Sequence, residues 1–279
     1  MSLVSLNTGS DVEAAANYWT TDRMANAVPF ALPIVDSQPT GGGPAGGSNV
    51  IVPGAPPQGG GLLGAAAPVA KPQTYPWCTV GKLFFVLNGK DYAGSAAVVG
   101  MNGILTAAHC LYDPKAKATS SNVTFVPAYT NGSQPLGKWV ANQTFVVSQW
   151  QTGADYGYDI GSAVLTPSSK DPIGKITGTL GYAINQQTSI PSWNDIGYPS
   201  NYGGGNIMYE EDGTFTVLVD NTVGKEGTFA EGASGDPWLM PNVPAVTNGV
   251  HSHGRKDKPD QVFSSYFTDW VGDLIGTIR

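Results

Sequence analysis

The chain has 279 residues and a mass of 29.0 kDa, with charged residues at only 13% and a formal net charge of −7. So sparse and acidic a charge set argues against a polyanion-binding surface, so nucleic acid and anionic membranes are not expected partners. No apolar run approaches the ~18 residues of a membrane-spanning helix.

With 37 glycines and 21 prolines, the composition suits strands joined by many turns better than helices. The start, Met1-Ser2-Leu3-Val4, has neither the basic region nor the long apolar core of a signal peptide. The protein is nevertheless expected to be secreted, with the signal already removed from the sequence shown. The low charge agrees with this, as do three glycosylation triplets beginning at Asn122, Asn131 and Asn142.

Residues 1–40 hold one short helix candidate: Thr20 or Thr21 can cap Asp22–Ala27, and Pro29 ends it. From Gln38 the composition changes. Residues 41–76 carry Gly41-Gly42-Gly43-Pro44, Pro56-Pro57 and Gly59-Gly60-Gly61, and few large side chains. Such a stretch cannot offset its ordering entropy and reads as a flexible linker or processing region. Val50-Ile51-Val52 and Leu62-Leu63 are apolar islands suited to resting in a groove.

After Pro76 the β pattern begins. Strands are predicted at Val80–Val86, Ser95–Met101, Ile104–Thr106, Asn122–Val126, Trp139–Val147 and Ile160–Leu165. A second set follows at Ile176–Tyr182, Ile196–Tyr198, Ile207–Tyr209, Thr214–Val219, Pro237–Met240 and Ala245–His251. Trp270, Val271, Leu274 and Ile275 have helical spacing behind Thr268, a cap candidate. The class is therefore all-β with a C-terminal helix; strand count alone leaves sandwich and barrel open.

Three segments carry chemistry. Ile104-Leu105-Thr106-Ala107-Ala108-His109-Cys110 delivers one of only three histidines at a strand end. Tyr158-Asp159-Ile160 opens an apolar strand, and Glu231-Gly232-Ala233-Ser234-Gly235-Asp236-Pro237 sets a serine between glycines. A serine hydroxyl is a weak nucleophile near neutral pH and needs a base, which a histidine supplies once a carboxylate fixes its tautomer. Ser234, His109 and Asp159 fit those roles, with Asp155 as the competing acid. The amides of Gly232 and Ser234 would form the oxyanion hole.

Thr106–Cys110 and Gly232–Pro237 resemble the histidine and serine motifs of the chymotrypsin-like serine proteases, in particular the glutamyl endopeptidase group, over roughly Val80 to the C-terminus. The resemblance implies two six-stranded antiparallel barrels (about 77–170 and 171–279) and a monomeric endopeptidase that acts on peptides through an acyl-enzyme. Tyr18-Trp19-Thr20, Arg23-Met24 and Ala27 are similar to prosegments of such enzymes, which makes 1–40 a prosegment; a short turn docked on the domain surface is the alternative. Removal of 1–76 near Trp77–Val80 is expected.

Gly249-Val250-His251-Ser252-His253-Gly254 resembles the wall of the S1 pocket in the glutamyl enzymes. His251 would then hold a P1 glutamate, Ser252 would sit beside Asp159, and His253–Gly254 would pair with substrate. Phe229 stands where that group has a threonine, with Thr228 adjacent as a substitute contact, and Glu231 adds negative charge at the rim. No glutamate lies between Glu13 and Glu210, so a Glu-specific enzyme could not cut its own linker. In the family the cysteine after the histidine pairs with one on the preceding strand, where this chain has Gly94; Cys78 is the substitute partner expected for Cys110, two free thiols being the alternative. No calcium- or zinc-ligand spacing occurs, so no metal or cofactor is expected. The competing function is a protease-like binding protein without turnover.

Overall fold

The computed structural model describes residues 1–6, 12–36, 47–54, 66–166, 171–186 and 190–279. Leu62-Leu63 lies outside the described residues.

Six antiparallel strands close the first barrel. Around the ring they are Trp139–Val147, Ser121–Pro127, Val80–Leu87, Lys90–Gly100, Gly103–Thr106 and Gly161–Thr166, the last pairing back onto the first. All six predicted strands are present, within a few residues of the expected bounds. Nearly all of Val80–Leu87 is buried, on both faces and without alternation. An outer layer causes this: Trp19, 1% exposed, packs on Phe84 at 5.3 Å, and Met24 is fully buried. The apolar run Leu83-Phe84-Phe85-Val86 therefore has a partner on either side.

That outer layer is the N-terminal segment. Helices Val12–Tyr18 and Thr21–Asn26 lie on the barrel, the second capped by the Thr20 hydroxyl, which accepts the Arg23 amide. Tyr18 and Arg23 converge on Asp91, with hydrogen bonds of 2.6 Å from the phenol and 3.0 Å from the guanidinium. Trp19 Nε1 donates to the Asn122 carbonyl at 2.6 Å. Leu3–Leu6 adds an edge strand to Trp139–Val147. The residues that resemble a prosegment are thus docking contacts.

The second half forms one large sheet. Its order runs His253–Arg255, Lys258–Ser265, Thr222–Glu226, Tyr209–Val219, Ser192–Gly197, Pro237–Leu239, Val246–Val250 and Gly181–Ile184. Among the described residues no strand pairing closes this sheet into a ring, unlike the first. Ile176–Tyr182, predicted as one strand, splits into helix Ile173–Thr177 and strand Gly181–Ile184, because Gly178 at φ 72° turns the chain. Three strands of this second half were not predicted: Thr222–Glu226, His253–Arg255 and Lys258–Ser265. Helix Asp269–Gly276 buries Trp270, Val271, Leu274 and Ile275, as their spacing predicts; Thr268 is its N-cap residue but makes no side-chain cap bond.

Part of the presumed linker belongs to the fold. Val50–Val52 pairs with Gly181–Ile184, and Ala67–Pro68 pairs with Tyr209–Glu210. Trp77–Thr79 forms a turn with Cys78 and Thr79 buried, leading directly into the first barrel strand. A cut at Trp77–Val80 would have to open that buried turn, so the expected processing position is at odds with the packing.

The expected disulfide is absent: Cys78 and Cys110 are both free and buried. Cys78 Sγ lies against the Thr177 carbonyl at 3.2 Å, and Cys110 Sγ faces the Ser234 carbonyl at 3.9 Å. Burial pushes the Cys78 thiol up to about 11, so it stays protonated and unreactive near neutral pH. Cys110 instead faces Gly94, where an added Cβ would stand 3.3 Å from its sulfur. Gly94→Cys should therefore pair with Cys110, since that separation suits a bridge. Thiol titration in denaturant without reductant should count two thiols in the parent and one in the variant; three in the variant would refute the pairing.

Candidate active site

His109 and Asp159 are brought together by strand register. Thr106 pairs with Gly161 between the antiparallel strands Gly103–Thr106 and Gly161–Thr166. His109, three residues past one strand, and Asp159, two residues before the other, thus emerge at the same end of the barrel. The fully buried Asp159 accepts three hydrogen bonds. They come from the His109 amide at 2.8 Å, His109 Nδ1 at 2.7 Å and the Ser252 hydroxyl at 2.6 Å. Asp155, the competing acid, instead caps the turn Tyr156–Tyr158 by accepting the Gly157 amide at 2.9 Å.

Ser234 lies on a tight turn pinned between the two sheets. Its carbonyl accepts the Ser95 amide at 2.8 Å from the first barrel, and the Gly235 amide donates to the His251 carbonyl at 2.8 Å in the second sheet. Gly232 and Gly235 have φ of 88° and 98°. A Cβ at Gly235 would stand 2.0 Å from the Ser95 carbonyl, and one at Gly232 would stand 2.7 Å from that of Tyr198, so both positions require glycine. Ser234 Oγ and His109 Nε2 are both buried and neither has a hydrogen-bond partner. The His–Asp limb of the constellation is formed, and the Ser–His limb is open.

A covering segment lies over these groups. The Phe30 ring stacks on His109 with centroids 5.5 Å apart and planes at 19°, and its carbonyl accepts the Gly232 amide at 3.0 Å. The sequence reading ended the N-terminal helix at Pro29 and did not foresee this contact.

Beside the serine turn is a cavity of about 360 Å³, lined by Thr228, Phe229, Glu231, Gly254, Arg255 and Lys256 among others, with Leu32 and Ile34 at its edge. Thr228, expected to contact substrate, is already committed: its amide and hydroxyl donate to Glu211 at 2.8 and 2.5 Å. His251 does not line this cavity. It is fully buried, with Nδ1 2.8 Å from Asp195 Oδ2 and Nε2 unpartnered. Lys225, also fully buried, sits 3.4 Å from the same Asp195 oxygen. Asp195 and Lys225 escaped the sequence reading because a charged residue within a strand pattern gives no sign of burial. Asp195, Asp236 and His251 could offer one ligand atom each within 4.8 Å of one another. The Lys225 side chain packs against this group, and burial followed by the Asp195 charge holds Asp236 well above the usual carboxylate range.

Two histidines are shifted in opposite directions. Burial alone would lower His109, but the Asp159 carboxylate and the Cys110 sulfur outweigh it, and the imidazole is pushed up to about 10. His253 is pushed down to about 3, first by burial and then by the charges of His109, Arg255 and His251.

No family model matches the chain. A glutamyl endopeptidase of Bacillus licheniformis is 26% identical over 187 residues, which are 62% of this chain and 58% of that protein. The chain thus spans under two thirds of the length of this curated relative. Among solved structures, the protease Anisep of Arthrobacter nicotinovorans superposes with a TM-score of 0.66 at 28% identity, covering 72% of this chain and 94% of that one. The thermostable serine protease AL20 from an extremophilic microorganism gives 0.65 at 26% identity, covering 72% and 96%. In sequence and fold the chain is similar to chymotrypsin-like serine proteases, and in sequence to a glutamyl endopeptidase among them.

The shifted histidines set the pH dependence of stability. His109 binds its proton more tightly when folded than the ordinary ~6.5, so its contribution is full below about 6.5 and lost as pH rises through about 10. His253 does the reverse: its contribution is present above about 6.5 and lost as pH falls towards about 3. Urea midpoints at pH 4.5, 6.5 and 9.5 should peak near the middle value. Asp159→Asn should flatten the alkaline limb and His253→Gln the acid limb; unchanged limbs would refute the assignment.

Proposed function

We propose that the chain is a secreted serine endopeptidase in which Ser234 attacks the scissile carbonyl, His109 serves as base and then acid, and Asp159 orients the imidazole. The observation that carries this reading is the Asp159 carboxylate, buried, joined to His109 Nδ1 at 2.7 Å and braced by Ser252. In the covered chain His109, raised to about 10, keeps its proton near neutral pH and acts as a base only after releasing it; with Nδ1 held by the acid, Nε2 is then the nitrogen left to take the serine proton. The tetrahedral oxyanion would be received by the amides of Gly232 and Ser234, each such donor being worth ~3–4 kcal/mol. Collapse to an acyl-enzyme expels the amine, which takes the proton back from His109, and water then repeats the sequence.

The reading extends to processing and specificity. Residues 1–40 act as a prosegment, and 41–76 hold the region where it is severed. An acidic P1 side chain is preferred. Arg255, Lys256 and Lys258 line the cavity beside Glu231; Arg255 is paired with Asp220 and Asp257 and Lys256 with Asp36, and the basic character of the lining itself supports the preference. His251, with Nε2 unpartnered, is the further candidate contact, and His253–Gly254 pair with the substrate backbone.

A fluorophosphonate probe applied to processed protein should label Ser234; absence of labelling at any pH would favour a binding protein without turnover. Asp159→Asn should lower kcat by roughly 10³- to 10⁴-fold, whereas Asp155→Asn, which loses only a turn cap, should leave it within about twofold. Reversed effects would exchange the two aspartates. Cleavage-site profiling on a denatured protein mixture should show Glu or Asp at P1, and a neutral or basic preference would overturn the specificity.

A further inference from the structure

Residues 28–35 cross the site from rim to rim. On one rim, Val28–Pro29 pairs in parallel with Tyr92–Ala93, and the Phe30 amide donates to the Ala93 carbonyl at 2.7 Å. In the middle, the Phe30 carbonyl takes the Gly232 amide, while its ring packs against His109, Tyr92 and Phe85 at centroid distances of 5.5, 4.8 and 5.2 Å. On the other rim, Ile34–Val35 pairs in parallel with Gly254–Arg255, and the amides of Gly254 and Lys256 donate to the Pro33 and Val35 carbonyls at 2.9 and 3.1 Å. Asp36 reaches Lys256 Nζ at 2.8 Å.

We propose that the cleft binds this stretch of its own chain as a reversed peptide, an inhibitor that occupies the site and is not cut. The inference rests on His109 and Ser234 being the reacting pair.

The direction in which a peptide lies in the cleft decides whether it can be cut. Hydrolysis needs the scissile carbonyl on the oxyanion donors and the next nitrogen towards His109, which must protonate it. The His109 side of the cleft is the Tyr92–Ala93 side, since Gly94 abuts Cys110. A productive substrate therefore continues C-terminally along Tyr92–Ala93 and comes in along His253–Arg255. The strap does the opposite, with residues before Phe30 on the first rim and residues after it on the second. It offers a carbonyl to Gly232, but the chain after Phe30 continues to the Gly254–Arg255 rim and not to Tyr92–Ala93. A single reversal accounts for the parallel sense of both short pairings. It also accounts for His109 being 6% exposed and Ser234 fully buried.

Occupancy follows from tethering. A short tether gives an effective concentration of roughly 1 mM, so a strap of only ~10 µM intrinsic affinity leaves about 1% of molecules open.

The test uses the full chain carrying a cleavage sequence for an unrelated site-specific protease between Gln38 and Gly46. Fluorophosphonate labelling of Ser234 should rise at least about 100-fold after nicking and dilution. A synthetic peptide of residues 12–36 should reverse the gain and stay intact by mass spectrometry. Phe30→Ala should speed labelling of the unnicked chain by about tenfold or more, and Phe30→Tyr should restore slow labelling. Hydrogen exchange at the amides of Gly232, Gly254 and Lys256 should be slow before nicking and fast after, whatever the catalytic state. Equal labelling before and after nicking, unprotected amides in the intact chain, or cleavage of the peptide at Phe30–Ala31 would each overturn the proposal. Protected amides with no labelling in either form would instead remove the hydrolase reading, and the inhibitory role with it.

Discussion

The site depends on one buried carboxylate. Asp159 has no contact with water and accepts donors from three places: the His109 backbone, the His109 ring and Ser252. An ionised carboxylate without partners in such a setting would cost several kcal/mol. The three donors offset that cost and in turn fix the geometry. His109 cannot rotate without losing Nδ1, and Ser252 ties the strand junction of the second sheet to the first barrel. The acid thus joins the two halves of the molecule at the point where chemistry is proposed.

A second constraint comes from the N-terminal segment. A small closed barrel with a continuous apolar strand needs cover outside as well as filling inside. Trp19 and Met24 supply that cover for the strand carrying Phe84, and Lys138 fastens the segment by donating to the Ala16 and Trp19 carbonyls at 2.6 and 3.1 Å. These contacts lie away from His109 and Ser234. They anchor the strap before it reaches the cleft, which separates the affinity of the segment from the few residues that close the site.

The first barrel was legible in the sequence because its strands are apolar runs punctuated by Gly, Asn and Pro turns, and because His109 and Asp159 each adjoin such a run. The second sheet was less so. Thr222–Glu226 and Lys258–Ser265 carry Lys225, Glu226, Lys258 and Asp260, which break the alternation expected of half-buried strands. Lys225 is nonetheless fully buried against Asp195, a long-range pairing that local patterning cannot reveal. The strap was invisible for a related reason. Pro29 reads as a helix stop in isolation, and the extended backbone after it acquires meaning only from the two rims that receive it. The expected Cys78–Cys110 bridge failed because the turn Trp77–Thr79 directs Cys78 to Thr177, while Cys110 faces a glycine.

These features bear on how activity would be withheld. Pancreatic-type zymogens await a new N-terminus that pairs with a carboxylate beside the serine, and Ala233 occupies that carboxylate's place here. The serine turn is instead held by backbone hydrogen bonds, Ala233 to Ala230 at 3.1 Å, Asp236 to Ala233 at 2.8 Å, Gly235 to His251 and Ser95 to Ser234, with the Ser95 hydroxyl donating to the Gly232 carbonyl at 3.0 Å. With the strap present, the Gly232 amide already points at a carbonyl. The Gly232 donor of the proposed oxyanion site is therefore already turned towards the cleft before any cut is made, and what stands between it and a substrate is an occupant. Such a site must be blocked by something that resists its own chemistry. Reversing the peptide achieves this without weakening the oxyanion contact, because the same carbonyl that would be attacked in one direction is only a ligand in the other.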